Sequence, residues 1–296
     1  MTTRDLDGES LLHFTKTIHR DTYPYISPEK LDYSGRSVLI TGASKGIGRA
    51  TALSYAAAGC SNIAIGARSD LSSLVQEIKQ VANKLGRKEP KVVSMKLDVT
   101  LEDSVKAAAE IIAKEFGGAL DVLIANAGYL APWVPLGDSD SSDWWRNWEV
   151  NIKGTYLCAK YFIPLLLKSG IRTCILASSY GAAVLGKGAS GYQTSKFAVC
   201  RLAQFISSDY ADQGLVCFAL HPGSLKTELA LRIPEDLHFH LADEPELPGD
   251  AIAWLGKEHR PWMSGRFISV AWDMEELEAM KDEIVKGDLL KFKILT

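Results

Sequence analysis

Short apolar runs alternate along most of the chain with longer segments in which apolar residues recur every three or four positions. Six runs rich in β-branched residues have the nearly continuous apolar character that strands need when helices cover both faces of a sheet. They span residues 38–41, 63–65, 92–95, 122–125, 174–177 and 216–220. A further run at 267–270 is a candidate for a last strand.

The segments between these runs have the period of amphipathic helices. The clearest apolar series is Leu71, Leu74, Val75, Ile78, Val81, Ala82 and Leu85. Residues 143–168 and 191–213 indicate two longer helices. Alternation of strands and helices predicts an α/β fold, namely a Rossmann-like doubly wound parallel sheet with helices on both faces, in a single domain spanning residues 37–296.

Two stretches depart from the alternation. Residues 1–36 form an N-terminal arm with Pro24 and Pro28, and the sequence leaves open whether the arm lies on the body or is mobile. Residues 224–250 are rich in proline, histidine and acidic residues. Long irregular insertions in compact domains are usually lids or binding loops, so we predict a lid-like segment here, with a plain surface loop as the alternative.

Composition narrows the class of protein. Hydrophobic residues make up 47% of the chain and charged residues 23%, and the formal net charge is -3 with both signs interspersed. No basic stripe suits a nucleic-acid backbone, so nucleic acid is not an expected partner. No apolar run approaches the ~20 residues that span a bilayer, and the polar N-terminus does not have the pattern of a secretory signal. The five scattered cysteines indicate reduced core thiols, no metal site and a cytoplasmic location.

A glycine-rich turn joins the first predicted strand to the first helix. Thr41 begins the sequence TGASKGIG, which contains Gly42, Ser44, Lys45, Gly46, Ile47 and Gly48. Gly42 permits a tight turn, Gly46 lets the backbone approach a pyrophosphate, and Gly48 permits close packing of helix on strand. Unpaired N–H groups at the helix N-terminus attract phosphate. The turn therefore predicts dinucleotide binding, although its G-x3-G-x-G spacing differs from the commoner fingerprint.

A phenol and an ammonium occur four residues apart at Tyr192 and Lys196, on one face of a predicted helix. An unperturbed phenol has a pKa near 10, and a nearby cation favours the phenolate and lowers that pKa toward neutrality. The pair is therefore a candidate acid/base couple. Tyr156 and Lys160 have the same spacing, so the motif alone does not choose between the two pairs.

Together these motifs resemble the short-chain dehydrogenase/reductase family, in the branch marked TGxxxGxG and YxxxK. The resemblance runs from about residue 36 to 275 and includes Leu97-Asp98-Val99, Asn126-Ala127-Gly128, Asn151, Ser179 with Tyr192 and Lys196, and His221-Pro222-Gly223. The arm and residues 271–277 resemble a fungal subgroup, many of whose members are enzymes of secondary metabolism.

The resemblance implies a catalytic set of Asn151, Ser179, Tyr192 and Lys196. Tyr192 would be the acid/base, Lys196 would also bind the nicotinamide ribose, and Asn151 would hold a water for proton relay. The family places its serine about 13 positions before the tyrosine, which selects Ser179, with Ser178 as the alternative one residue away. The matching position before Tyr156 is Asp143, so Tyr156 is expected in the core or in an interface.

The resemblance also implies where the cofactor binds. Asp98 and Val99 would contact the adenine, Asn126, Ala127 and Gly128 would flank the adenosine, Pro222 and Gly223 would pack over the nicotinamide, and Thr227 would bond the carboxamide. His221 is expected to be structural.

The end of the second strand bears on the choice of nicotinamide. A carboxylate there would bind the ribose hydroxyls of NAD, but Ala67 stands in that place and Arg68 follows it. Because guanidinium groups bind phosphate bidentately, Arg68, with Lys45, favours NADP(H). If both are ordinary surface cations, NAD(H) remains possible.

These inferences predict an oxidoreductase that transfers a hydride between NADP(H) and a carbonyl/alcohol substrate, and we expect a ketone reductase on an apolar small molecule. The expected pocket walls are residues 129–133, 184–187 and 224–250, with Trp133, Leu185 and Leu225 as apolar members. The alternatives are a same-fold enzyme with dehydratase- or epimerase-like chemistry and a non-catalytic NADP(H)-binding sensor.

The same resemblance implies a homodimer or homotetramer assembled through the two long helices. The tryptophans at positions 144, 145 and 148 lie in the first of these helices, and the sequence leaves open whether they belong to an interface or to the core.

Overall fold

Seven parallel strands form one sheet in the order β3-β2-β1-β4-β5-β6-β7 in a computed structural model that describes residues 11–293. The strands are β1 (Ser37–Thr41), β2 (Asn62–Ala67), β3 (Lys91–Lys96), β4 (Val122–Ala125), β5 (Thr173–Ala177), β6 (Val216–His221) and β7 (Phe267–Ser269). All the predicted runs are strands, and the doubly wound sheet is confirmed. The strand order reverses between β1 and β4, and such a reversal opens a crevice at the carboxyl ends of the strands.

Helices connect the strands and pack in groups. They are α1 (Gly46–Ala57), α2 (Ser72–Lys84), α3 (Glu102–Glu115), α4 (Ser141–Trp148), α5 (Gly154–Leu166), α6 (Ser190–Asp209), α7 (Glu246–Lys257), α8 (Met274–Ala279) and α9 (Lys281–Lys286). Helix α1 packs against α2 and α7, α3 packs against α5, and α4 packs against α6. A π-helical segment, Glu149–Lys153, joins α4 to α5. No helix within residues 11–293 is long and apolar enough to cross a membrane.

The N-terminal arm lies on the body over its described part, residues 11–36. Ile18 forms an antiparallel bridge with Trp272, and His19 donates its N–H to the carbonyl of Ala271 at 2.8 Å. The His19 ring stacks on Tyr23, and its Nε2 forms a 2.8 Å hydrogen bond with Asp273 Oδ2. Of the two alternatives for the arm, the structure shows the packed one, and residues 1–10 lie outside the described chain.

The irregular segment after β6 is shorter than predicted. It contains two short 3-10 turns, Ala230–Arg232 and Glu235–His240, but α7 already begins at Glu246. The predicted end at Asp250 is therefore wrong, since residues 246–250 are helical. Pro248 lies in the first turn of α7, where a missing N–H removes no helical hydrogen bond, so proline content there did not indicate a loop.

Several aromatic residues on α4 to α6 are not in the core. Tyr156 on α5 is 48% exposed, which excludes the core position that we considered for it. Trp145 is 58% exposed, and its ring contacts those of Trp144 and Trp148 rather than the apolar interior.

Candidate active site

The glycine-rich turn TGASKGIG between β1 and α1, here called the phosphate turn, has the backbone geometry that we predicted from its glycines. Gly42 and Gly46 have φ of 66° and 57°, in the left-handed region that favours glycine. A Cβ on Gly48 would lie 2.5 Å from the carbonyl oxygen of Gly42 and 2.7 Å from Asn126 Nδ2. The start of α1 has no side-chain cap, so its first N–H groups remain available to an anion.

Asn126 holds this turn against the end of β4. Its Nδ2 donates to the carbonyl oxygens of Thr41 at 2.9 Å and Gly42 at 3.2 Å. The amides of Asn126 and Ala127 both donate to the hydroxyl of Thr41 at 3.1 Å. Two neighbouring strand ends are thereby locked into one rigid floor, which fits a dinucleotide lying across them.

A cavity of about 1300 Å³ runs along the carboxyl edge of the sheet. Most of the predicted cofactor residues line it: Gly42, Ser44, Lys45, Gly46, Ile47, Arg68, Asp98, Val99, Asn126, Ala127, Gly128, Tyr192, Lys196, Pro222 and Thr227. Gly48 and Gly223 are outside this lining, as are Asn151 and Ser179. These four residues therefore lie behind the cavity wall or at its margin.

Asp98 lies at one end of the cavity. Partial burial raises the pKa of this carboxyl, but hydrogen bonds from Thr100 and the nearby Arg68 and Arg146 hold the pKa below its usual range. The two bonds come from the Thr100 amide at 3.0 Å and the Thr100 hydroxyl at 2.7 Å. Asp98 is therefore a fixed anion with an acceptor available to a ligand N–H.

The two cationic residues predicted to bind the 2′-phosphate, Lys45 and Arg68, differ in their surroundings. Lys45 forms an ion pair with Glu228 of the segment after β6, a partner that the sequence did not indicate. Arg68 directly follows the last residue of β2, as expected, and is exposed beside the cavity. Within the described part of the chain Arg68 forms no salt bridge. Its guanidinium can therefore bind an anion without first breaking an ion pair.

Ser179 lies beside the phenol of Tyr192, which lines the cavity. Burial raises the pKa of the Tyr192 phenol, and the neighbouring Ser179 hydroxyl lowers it by a smaller amount. Ser179 Oγ also accepts from the amide of Gly181 at 3.0 Å. Ser178 belongs to the cavity lining, but it is buried and its hydroxyl donates to the carbonyl of Lys196 at 2.9 Å. The structure thus brings Ser179, and not Ser178, to the tyrosine.

Lys196 is 4% exposed, and its Nζ donates to the carbonyl of Ala177 at 2.8 Å. Burial lowers the pKa of this ammonium to about 8. Nζ lies 5.7 Å from the centroid of the Tyr192 ring. We expected the ammonium to lower the pKa of Tyr192, but burial of the phenol outweighs every lowering contribution, and that expectation is corrected.

Asn151 lies in the π-helical segment and is fully buried. Its Oδ1 accepts from the amide of Tyr129 at 2.8 Å, and its Nδ2 donates to the Tyr129 carbonyl and to the Ser195 hydroxyl, both at 2.9 Å. A Cβ on Gly128 would be 3.6 Å from Asn151 Oδ1 and 3.7 Å from Lys196 Nζ, so both groups approach the same glycine. π-bulges often occur at functional sites, and this one turns Asn151 inward.

Residues after β6 close the other end of the cavity. A Cβ on Gly46 would lie 3.0 Å from Thr227 Cγ2, so Thr227 reaches back to the phosphate turn. Thr227 Oγ1 accepts a hydrogen bond from the amide of Ala230 at 3.1 Å.

His221 is buried, and burial lowers its pKa to about 4. The imidazole is therefore neutral at physiological pH, in line with the structural role expected of it.

The predicted pocket walls meet in part. A Cβ on Gly186 would lie 2.7 Å from the ring of Trp133, and the amide of Val134 donates to the carbonyl of Gly188 at 3.1 Å. Leu225 is buried and lines the cavity, whereas Leu185 is fully exposed and lies outside the lining.

Sequence reasoning missed a group around the ring of Tyr129. The guanidinium of Arg146 lies 4.6 Å from the ring centroid and that of Arg232 lies 5.3 Å from it. Arg232 also donates to the carbonyl of Leu130 at 3.2 Å. These residues are far apart in sequence and carry no motif, so no local signal indicated them.

Known proteins resemble this chain over most of its length. A family model described as short chain dehydrogenase matches residues 36–238. Short chain dehydrogenase mpl6 of Monascus purpureus is 47% identical over 277 residues, which cover 94% of each chain. Short chain dehydrogenase pigC of Monascus ruber is 43% identical over 294 residues, covering 98% of this chain and 96% of the relative.

Solved structures show the same likeness. A short-chain type dehydrogenase/reductase from Mycobacterium marinum aligns with a TM-score of 0.70 at 27% identity, covering 80% of this chain and 94% of that one. An alcohol dehydrogenase from the archaeon Thermococcus sibiricus, complexed with 5-hydroxy-NADP, aligns with a TM-score of 0.64 at 28% identity, covering 74% and 89%.

Proposed function

The chain belongs to the short chain dehydrogenase family, and from that premise we propose that it transfers a hydride between NADP(H) and a ketone or its alcohol, with Tyr192 as the proton donor or acceptor. The protein is an oxidoreductase that acts on CH–OH and C=O groups with a nicotinamide cofactor. The observation that carries the residue assignment is the placement of Tyr192 and the buried Lys196 on the wall of one cavity, with Ser179 beside the phenol.

Each catalytic side chain has a separate task in the proposed reduction. When bound, the nicotinamide supplies the hydride to the carbonyl carbon. Ser179 donates a hydrogen bond to the carbonyl oxygen and stabilises the charge that develops there. Tyr192 gives its proton to the same oxygen, and Lys196, whose Nζ lies 5.7 Å from the centroid of the tyrosine ring, is proposed to bind the nicotinamide ribose. Oxidation of the alcohol reverses both transfers.

Asn151 is proposed to hold a water between Lys196 and solvent. The approach of Asn151 Oδ1 and Lys196 Nζ to the same glycine supports this role, since one acceptor site of Oδ1 remains after the bond from Tyr129.

Asp98 and Val99 are proposed to contact the adenine, and residues 126–128 the adenosine. Pro222 and Gly223 would pack on the nicotinamide, with Thr227 toward its carboxamide. The anionic state of Asp98 suits a bond from the adenine amino group.

Charge at the end of β2 favours NADP(H). Ala67 ends the strand without a carboxylate, and Arg68, which forms no salt bridge within residues 11–293, follows it. A guanidinium binds phosphate bidentately, which suits the 2′-phosphate of NADP(H). Lys45 must release Glu228 before it binds the phosphate, so we assign Lys45 the smaller contribution to the preference for NADP(H).

The proposed substrate is an apolar small ketone, because Leu225 and Leu229 supply apolar surface to the cavity. We propose that copies of the chain associate through α5 and α6, on which Tyr156, Phe197 and Phe205 are exposed.

Residues 11–36 act as an arm on the domain that begins at residue 37. Five buried, unpaired cysteines in the described chain suit the cytoplasm, and the named Monascus relatives suit a role in secondary metabolism.

Fluorescence titration with NADPH and with NADH tests the cofactor assignment. We expect the parent protein to prefer NADPH by about tenfold or more, ~1.4 kcal/mol. Arg68→Ala should remove most of that preference, Lys45→Ala less, and Lys106→Ala, a control at an exposed lysine on α3, none. Equal affinities in the parent would reassign the cofactor to NAD(H). Binding of neither dinucleotide would reject the proposed site, and turnover of a ketone panel with the preferred dinucleotide then tests the reaction.

A further inference from the structure

The segment between Ser224 and Asp243, here called loop 224–243, is closed at its base by its own two end residues. The amide of Ser224 donates to Asp243 Oδ2 at 2.6 Å, and the amide of Asp243 donates to the carbonyl of Ser224 at 3.1 Å. Two hydrogen bonds thus join the ends of the loop, one to the side chain of Asp243 and one to the backbone carbonyl of Ser224. Nothing in the motifs of the family site requires an acidic residue at this position.

The carboxylate of Asp243 also packs on the turn that precedes the loop. Gly223 has φ of 88°, and a Cβ there would lie 3.0 Å from Asp243 Oδ2. Asp243 is half-buried and lines the same cavity as Leu225 and Thr227. The bond to Ser224 therefore fixes the backbone immediately before two residues that face the cavity.

The N-terminal arm reinforces this base from outside. The amide of Glu244, next to Asp243, donates to the carbonyl of Arg20 at 2.7 Å. The positive charge of Arg20 also acts on the Asp243 carboxylate. Thr22 donates its hydroxyl to the buried Asp250 at 2.6 Å, which ties the arm to the start of α7. The exit of the loop is consequently held on both sides.

We propose that Asp243 is a positioning residue for hydride transfer. By clamping the base of loop 224–243 it holds Gly223, Leu225 and Thr227 at the nicotinamide end of the cavity, and the arm holds Asp243. This inference rests on the proposed function for its catalytic meaning, whereas the clamp itself is a property of the loop.

Limited trypsin digestion tests the clamp without any ligand. Lys226 and Arg232 are exposed cleavage sites inside the loop. Asp243→Ala removes the acceptor, Asp243→Asn keeps an oxygen acceptor, and Asp236→Ala removes an exposed carboxylate elsewhere in the same loop. We expect cleavage at both sites to be roughly tenfold faster in Asp243→Ala, since the loss of a hydrogen bond to a charged group favours opening. Asp243→Asn should be close to the parent, and Asp236→Ala should match it. Unchanged cleavage in Asp243→Ala would overturn the proposal.

Ligand binding tests the link to the nicotinamide end. NADPH is compared with adenosine 2′,5′-bisphosphate, which carries the adenosine phosphates but no nicotinamide. Asp243→Ala should weaken NADPH binding about tenfold and bisphosphate binding distinctly less, because the loop meets the phosphate turn through Thr227 and Glu228 alone, whereas the whole nicotinamide end is proposed to depend on the loop base. Equal weakening of both ligands would overturn the positioning role. If the parent binds neither ligand, the proposed function fails, and the cleavage rates alone then decide whether Asp243 clamps the loop.

Discussion

Replacing the buried Lys196 by methionine is expected to abolish turnover and yet to stabilise the folded protein at neutral pH. The ammonium is 4% exposed, and burial lowers its pKa from 10.5 to about 8. At ~1.4 kcal/mol per pKa unit, holding the charged form in the folded state costs on the order of 3 kcal/mol. Methionine has a similar length and carries no charge. The stability gained by removing the charge is offset in part, because the Ala177 carbonyl loses its 2.8 Å hydrogen bond from Lys196, and that loss costs about 1–3 kcal/mol.

The pH dependence gives a sharper test than the absolute value. Because the folded-state pKa lies below the unfolded one, the unfolded chain binds more protons between pH 8 and 10.5. The parent therefore gains stability relative to Lys196→Met as the pH rises through this window. The advantage of the methionine variant should shrink by about 2.5 kcal/mol between pH 7 and pH 10.

Urea unfolding followed by tryptophan fluorescence at pH 7, 8.5 and 10 measures this difference. The subtraction cancels groups that titrate alike in both proteins, and Lys106→Met controls for loss of an exposed lysine charge. Parallel stability curves for parent and Lys196→Met across that range would refute the argument, because they would mean that Lys196 has the same pKa in the folded and unfolded chains.

Three further changes test other parts of the site and fold. Tyr192→Phe should lower kcat by about 10²–10⁴ with NADPH affinity unchanged in a titration, whereas Tyr156→Phe, in the lookalike Y-x3-K pair, should keep full activity. Gly48→Ala places a Cβ 2.5 Å from the Gly42 carbonyl and should weaken NADPH binding by about tenfold, while Gly137→Ala, whose Cβ meets nothing within 4 Å, should not. Trp272→Ala should cost about 3–5 kcal/mol in chemical unfolding because the ring is fully buried, and Trp145→Ala, at a 58% exposed position, should cost far less; an equal loss in the two tryptophan variants would contradict the packing described for the arm.

The strands and the phosphate turn were predictable because their signals are local. Continuous apolar runs such as 122–125 have few alternatives to a strand covered on both faces, and Gly42, Gly46 and Gly48 lie within one turn. Tyr192 and Lys196 of the proposed catalytic set are likewise four residues apart on one helix.

Features that join distant parts of the chain were not predictable. The sequence left Ser178 beside Ser179 as an alternative, since a shift of one residue at a strand end reverses the direction of a side chain. The Lys45–Glu228 ion pair joins residues 183 positions apart, and neither residue differs locally from an ordinary surface charge. The boundary at Asp250 failed because proline is compatible both with a loop and with the first turn of a helix.

The pairing of the arm with residues 271–278 has a consequence for how the protein is made. His19 and Asp273 are 254 positions apart, so at about 5–20 residues per second a ribosome needs roughly 10–50 s between them. During that time Phe14 and Ile18 have no Trp272 to cover them. The apolar residues of the arm are therefore exposed until the C-terminal segment has been made, and a chain that ends before residue 271 leaves them without that cover.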